Sequence, residues 1–200
     1  MFPVIAIGDR WLREPRGDNL GIASRVATIL GSSQAIRPAD REGVLPVDLS
    51  GDGGLRSALG STAALMVAPP GGVAIFSAGV HDAHTDPYLR SWLLSAMGMI
   101  AVCDRPVVVI QQTFCLDAPK ANGTCSSAAR RWLGKANAAL LQEIQRRNYR
   151  IGGHGIAIVS TVDLVVTDYA DQAWPSGYGL RKVAAAVALE TLRLTGLAAE

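Results

Sequence analysis

The chain has 200 residues, of which 49% are hydrophobic and 18% charged, with a formal net charge of +2. Those values fit one globular domain over residues 1–200 with a sizeable core, and they exclude a disordered chain. So small and scattered a charge gives no nucleic-acid surface, and no apolar run reaches the roughly 18 residues of a membrane span. The tight basic pairs, Arg130-Arg131 and Arg146-Arg147, read as solvated helix faces.

The sequence opens directly on an apolar segment with no cationic leader before it, so the expectation is a cytoplasmic protein. Three cysteines are an odd number without metal-site spacing. In a reducing compartment they are expected as free thiols, with a Cys115–Cys125 bridge as the alternative.

Pro3 to Ile7 is continuously apolar and ends in Gly8-Asp9-Arg10, the pattern of a buried central strand. After a polar loop, Asp18 reads as an N-cap for a helix bearing Ile22, Val26, Ile29 and Leu30, with Gly31 closing it. Val44 to Leu49 is a second strand, ending in Ser50-Gly51-Asp52, and a brief helix follows around Leu55 to Leu59. Val73 to Phe76 is a third strand, ending in Ser77-Ala78-Gly79-Val80-His81-Asp82. Asp86-Pro87 is a cap-and-proline start for a helix with Leu89, Leu93, Met97 and Ile100 on one face.

Pro106 to Ile110 is the clearest strand, β-branched and apolar. A loop over Thr113 to Thr124 is long for an α/β connection and so a candidate for function. Ser126 to Asn148 is the longest helix, with Leu133, Ala136, Leu140 and Ile144 inward. Ile156 to Val159 is a fifth strand, and Pro175-Ser176 opens a last helix with Leu180, Val183, Val187 and Leu194 on its buried side. Strands alternating with helices of this length give a parallel five-stranded sheet in a three-layer α/β/α sandwich. In such a sheet the chemistry gathers at the carboxyl ends of the strands, which places Arg10 at the mouth of the site.

Read together, Gly8-Asp9-Arg10, Gly51, Gly79-Val80-His81-Asp82 and Asp171-Gln172-Ala173-Trp174-Pro175 resemble, in order and spacing, the SGNH (GDSL-type) hydrolase family. The resemblance covers residues 4 to about 190 and implies the flavodoxin-like SGNH-hydrolase fold. In that family a Gly-Asp-Ser block supplies the nucleophile, Gly-x-Asn-Asp an oxyanion donor, and Asp-x-x-His-Pro the base and its orienting carboxylate. By that likeness Arg10 stands at the nucleophile position, Gly51 and His81 at oxyanion positions, Asp171 at the orienting acid and Trp174 at the base. Arginine offers only donors, and indole has no basic nitrogen. The family's acyl-enzyme route is therefore expected to be absent.

Other nucleophiles are weaker candidates. Ser50 and Ser77 precede the reactive positions of their loops, whereas Cys115 lies past the fourth strand on the correct edge, with His81 or His84 as a possible base. Cys103 and His154 sit at the amino ends of strands, on the wrong edge. His81-x-x-His84 with Asp82 and Asp86 names no complete ligand set, so no metal and no cofactor is expected.

An arginine at a strand mouth calls for a carboxylate, so the expectation is an Arg10–Asp171 ion pair closed over by Trp174. At ~4 Å and an effective dielectric near 20, such a pair attracts by about 4 kcal/mol before desolvation. The functional expectation is a pseudoenzyme whose cleft, through Arg10, Gly51, His81, Asp171 and Trp174, binds a small anionic or aromatic ligand or serves a protein partner. The alternatives are altered acid/base chemistry by His81 or Asp171 with Arg10, and an esterase using another nucleophile. Oligomeric state is left open.

Overall fold

The computed structural model describes residues 1–12, 21–33, 43–50, 53–55, 64–65, 68–85, 88–119, 125–148 and 155–196, the side chains of Arg10 and Asn148 excepted. Five strands, Phe2–Gly8 (β1), Val44–Asp48 (β2), Val73–Ser77 (β3), Val107–Gln111 (β4) and Ile156–Ser160 (β5), form one sheet in the order β2-β1-β3-β4-β5. Every pairing is parallel, with Val4 opposite Val73 and Val107 opposite Ile156. The sequence boundaries differ from these by at most one residue.

The helices are Ile22–Ser32 (α1), Val80–Ala83 (α2), Leu89–Ala101 (α3), Ser127–Asn148 (α4) and Gly177–Thr195 (α5). The chain leaves β1 toward β2 and later returns to lay β3, β4 and β5 on the other side. Right-handed crossovers therefore place α1 on one face and α3 and α4 on the other. α5 packs beside α1, and α3 packs on α4, which completes the three layers. The order reverses between β1 and β3. That point, at the carboxyl edge, is where an open α/β sheet forms its crevice.

The core is continuous through the layers. Val4, Ile5, Ile7, Val73, Ile75, Phe76 and Val108 are buried in the sheet, and Leu133, Ala136, Leu140 and Ile144 are buried on α4 at the predicted positions. Leu180, Val183 and Val187 do the same on α5, while Leu194 is half-buried. β2, at the sheet edge, is the least buried strand, with Leu45 exposed and Pro46 within it.

Several local expectations are corrected. Gly31 does not close α1; the helix runs on to Ser32, and the Ser33 N–H bonds the Leu30 carbonyl. Gly21 is the residue before α1, and Asp18 lies outside the described residues. α3 starts at Leu89 after Tyr88, and Asp86-Pro87 also lie outside. So do residues 56–59 of the brief helix after Leu55. The buried stripe of α3 is Trp92, Ala96, Met97, Met99 and Ile100, with Leu89 and Leu93 only half-buried. Trp92 turns this stripe by packing edge-on against Trp132 of α4, ring centroids 5.4 Å apart. All three cysteines are free, so Cys115 and Cys125 are not bridged.

α5 is anchored by side chains at its start. The Ser176 hydroxyl accepts from Gly179 N at 3.2 Å, a standard N-cap. Asp168, fully buried, accepts from Val165 N and from Lys182 Nζ, both at 2.8 Å, which ties the preceding turn to the helix. Burial pushes the Asp168 carboxyl up, but the Lys182 ammonium and the Val165 N–H outweigh it and hold the group below its ordinary 3.8. A lowered folded value means stabilisation that is full above the unfolded pKa and fades as pH falls through the folded one. Asp168→Ala should therefore cost about 1–3 kcal/mol in urea unfolding at neutral pH, because it removes the buried acceptor that Val165 N and the Lys182 ammonium share. The difference from wild type should shrink in acid, below the ordinary carboxylate range.

Candidate functional site

At the β1/β3 switch point the backbone passes from Gly8 through Asp9 into a 3-10 turn, Arg10–Leu12. Asp9 is fully buried. Its Oδ1 accepts from Gln112 Nε2 at 2.7 Å and Trp11 N at 3.0 Å. Its Oδ2 accepts from Gly79 N at 3.2 Å and His81 N at 3.5 Å. One carboxylate thus joins the ends of β1, β3 and β4.

Gln112 completes the join. Its second amide hydrogen goes to Ser77 Oγ at 2.9 Å, and its Oε1 accepts from Val80 N. Its own carbonyl accepts from Asn137 Nδ2 of α4 at 2.8 Å. Ser77 is buried and donates to the Ile110 carbonyl at 3.3 Å, so it is a strut and not an accessible nucleophile. Ser50 hydrogen-bonds Asp48 through both its N–H and its hydroxyl, a local turn in which the acceptor is a carboxylate rather than an imidazole.

The helix α2, which the periodicity gave no sign of, carries His81 and Asp82. Asp82 accepts from Leu55 N at 3.0 and 3.1 Å and from Trp92 Nε1 at 3.1 Å. It stitches the loop after β2 to α2 and α3. A Cβ at Gly54 would come within 2.0 Å of its carboxylate, so only glycine permits this approach. Burial raises the Asp82 carboxyl, against the Trp92 and Leu55 donors and the nearby His81. His81 itself is half-buried, and His84 lies exposed with its ring edge-on to Phe114, centroids 5.8 Å apart.

A second cluster forms where the loop after β4 meets the turn before α5. Asp171 Oδ1 accepts from Ala173 N at 2.8 Å and Trp174 N at 3.0 Å, so this carboxylate shapes its own turn. Cys115 N donates to the Gln172 carbonyl at 2.9 Å, and Gln172 Nε2 to the Leu116 carbonyl at 2.8 Å. Beneath lie Thr113, Thr161 and Tyr169, whose hydroxyls meet at 2.7 and 2.8 Å. Trp174 is half-buried and packs on the core.

No protein-family model and no curated protein matches the sequence. The three-dimensional comparison does match. A carbohydrate acetylesterase family member from Sinorhizobium meliloti superposes with a TM-score of 0.69 at 11% identity, over 98% of this chain and 100% of that one. The aryl esterase of M. smegmatis gives 0.65 at 12% identity, over 97% and 100% of the two chains. A member of the lipolytic protein G-D-S-L family from Veillonella parvula gives 0.62 at 14%, over 95% and 97%. The fold is that of the SGNH hydrolases.

Within the SGNH fold, His81, Asp171 and Trp174 fall on the carboxyl edge of the sheet, in two clusters. His81 belongs to the Asp9 cluster, and Asp171 and Trp174 share one turn. The Arg10 side chain and Gly51 lie outside the described residues, and with them the expected Arg10–Asp171 pair. Asp52, Asp86 and His154 lie outside as well. Cys115 is half-buried, and among the described residues its thiol makes no hydrogen bond. Cys103 is pushed up to about 12 by burial, an inert thiol. Among the described residues no three His, Cys, Asp or Glu side chains group to hold a metal ion, and no helix is long and apolar enough to cross a membrane.

Sequence reasoning missed Gln112 and Trp92 and undervalued Asp9 and Asp82. The available signal was two glutamines, Gln111 and Gln112, directly after the apolar run of β4. A polar pair there has no reason to exist unless the strand end is tied to something.

Proposed function

We propose that this protein is a non-hydrolytic SGNH-fold protein whose cleft binds a small ligand carrying an anionic group and a flat apolar part. What carries this reading is the resemblance of the loop motifs, which puts Arg10 at the nucleophile position and Trp174 at the base position; the Asp171 carboxylate that accepts from Trp174 N supports it. The Arg10 guanidinium suits a carboxylate or phosphate, and the Trp174 indole suits stacking. His81 adds a donor from the β3 side. Ser77 and Ser50 are both occupied in structural hydrogen bonds, which supports the absence of a substitute serine. Three free thiols fit a cytoplasmic setting.

A fluorophosphonate probe should leave the protein unlabelled, and p-nitrophenyl acetate should be hydrolysed at the buffer rate. In a thermal-shift screen of aromatic carboxylates and phosphates, at least one should raise the melting temperature. Arg10→Ala should then weaken that ligand about tenfold or more, as loss of a charged hydrogen-bond partner does. Stoichiometric labelling by the fluorophosphonate would overturn the reading.

A further inference from the structure

We propose that Asp9 is a proton-controlled positioning residue, whose ionised carboxylate holds the turn bearing His81 in place and releases it when Oδ2 takes up a proton from solvent. The geometry is asymmetric in a way that decides where the proton goes. The Oδ1 contacts are short, 2.7 Å to Gln112 and 3.0 Å to Trp11. The Oδ2 contacts are long, 3.2 Å to Gly79 N and 3.5 Å to His81 N. All four partners are donors, so a proton on the carboxyl has no acceptor among them and must displace a donor. The weaker pair, Gly79 and His81, gives way first.

The middle amide of the same turn is held differently. Val80 N donates to Gln112 Oε1, an amide oxygen that does not titrate. The turn therefore carries an internal control: two amides answer to Asp9 and one does not. Burial pushes the Asp9 carboxyl up to about 7, against the pull of Gln112 and the Trp11 and His81 amides, which places the event near neutrality.

Among the described residues, the charged groups that bear on Asp9 are few. From α2, Asp82 faces it and disfavours the second negative charge. Ser77 from β3 and Gln112 from β4 carry no charge, and on its own turn the neighbours are Arg10 and Trp11. His81 reaches it through its backbone N–H. The switch belongs to the wild-type fold and operates whichever ligand the cleft takes. For the proposed binding site it means a His81 side organised above neutral pH and loosened below.

The test is amide exchange by NMR on the whole chain between pH 5 and 9, corrected for intrinsic exchange, with the Asp9 carboxyl carbon followed in the same samples. Protection at Gly79 and His81 should fall about tenfold or more with acidification through the Asp9 titration, while Val80 and the β3 core hold. Asp82→Asn should move the midpoint down in pH without abolishing the transition. Gly79 and His81 tracking Val80 at every pH would overturn the proposal. So would a transition that coincides with His81 ring titration and leaves the Asp9 carbon unchanged. These readings come from wild type, so they do not depend on whether Asp9→Asn folds; where it does, its Gly79 and His81 exchange should show no transition.

Discussion

Gly8→Ala is expected to unfold the protein or bring it to the edge of unfolding. Gly8 has φ of +150°, a region that a residue with a Cβ rarely adopts. A Cβ there would stand 1.7 Å from the Ser77 carbonyl oxygen, in the adjacent strand. β1 and β3 are paired at this point, Gly8 opposite Ser77, and Asp9 N donates to that same carbonyl at 3.1 Å. Relief requires the two central strands to part where the Asp9 network begins. The cost should exceed about 4 kcal/mol, out of the 5–15 typical of a whole domain. Gly98→Ala is the matched control: it lies inside α3, where an added Cβ meets nothing within 4 Å. That change should stabilise by about 0.5–1 kcal/mol. Urea unfolding of both variants separates the two outcomes, and a Gly8→Ala protein as stable as wild type would contradict the account of the β1 end.

Restoring hydrolysis should require two substitutions together. On the proposed reading Arg10→Ser alone gives a hydroxyl with no base, and Trp174→His alone gives a base with nothing to activate. In serine hydrolases, loss of either partner alone costs on the order of 10⁶ in kcat, nearly as much as losing all three triad members. Each single variant should thus hydrolyse p-nitrophenyl acetate at the background rate. Arg10→Ser with Trp174→His should exceed either by about 100-fold or more, a general-base gain. Asp171, the orienting carboxylate on the proposed reading, is already fixed, since its Oδ1 accepts from the N–H groups of residues 173 and 174. Backbone donors do not depend on the side chain at 174, so the turn should survive the change. Activity in Arg10→Ser alone, equal to that of the double variant, would mean that another base serves position 10.

The strands were legible because their chemistry is local. Val107 to Ile110 is β-branched and apolar in any context, and the α4 stripe of Leu133, Ala136, Leu140 and Ile144 repeats at the helical period. The errors arise where a distant partner decides. Trp92 is central on α3 because of Trp132, some 40 positions away, a fact that no window on α3 contains. The same is true of the site. Gln112 and Asp9 are 103 residues apart in sequence and 2.7 Å apart in space. Loop motifs mark where a site lies, because they follow strand ends. They do not show which side chains hold those ends together.

Pro46 has a consequence for how this protein behaves in a crowded solution. β2 closes one margin of the sheet, and Leu49 N donates inward to the Ala6 carbonyl at 2.8 Å. Counting back by twos, residues 47 and 45 also aim their nitrogens at β1, so that of Pro46 points away from it. Proline has no hydrogen there to offer. A strand arriving from another chain would find no donor at the centre of this margin, flanked by the aliphatic side chains most prone to aggregate. One ring, placed where it disturbs no bond of the native sheet, breaks the template on which fibrillar stacking would grow.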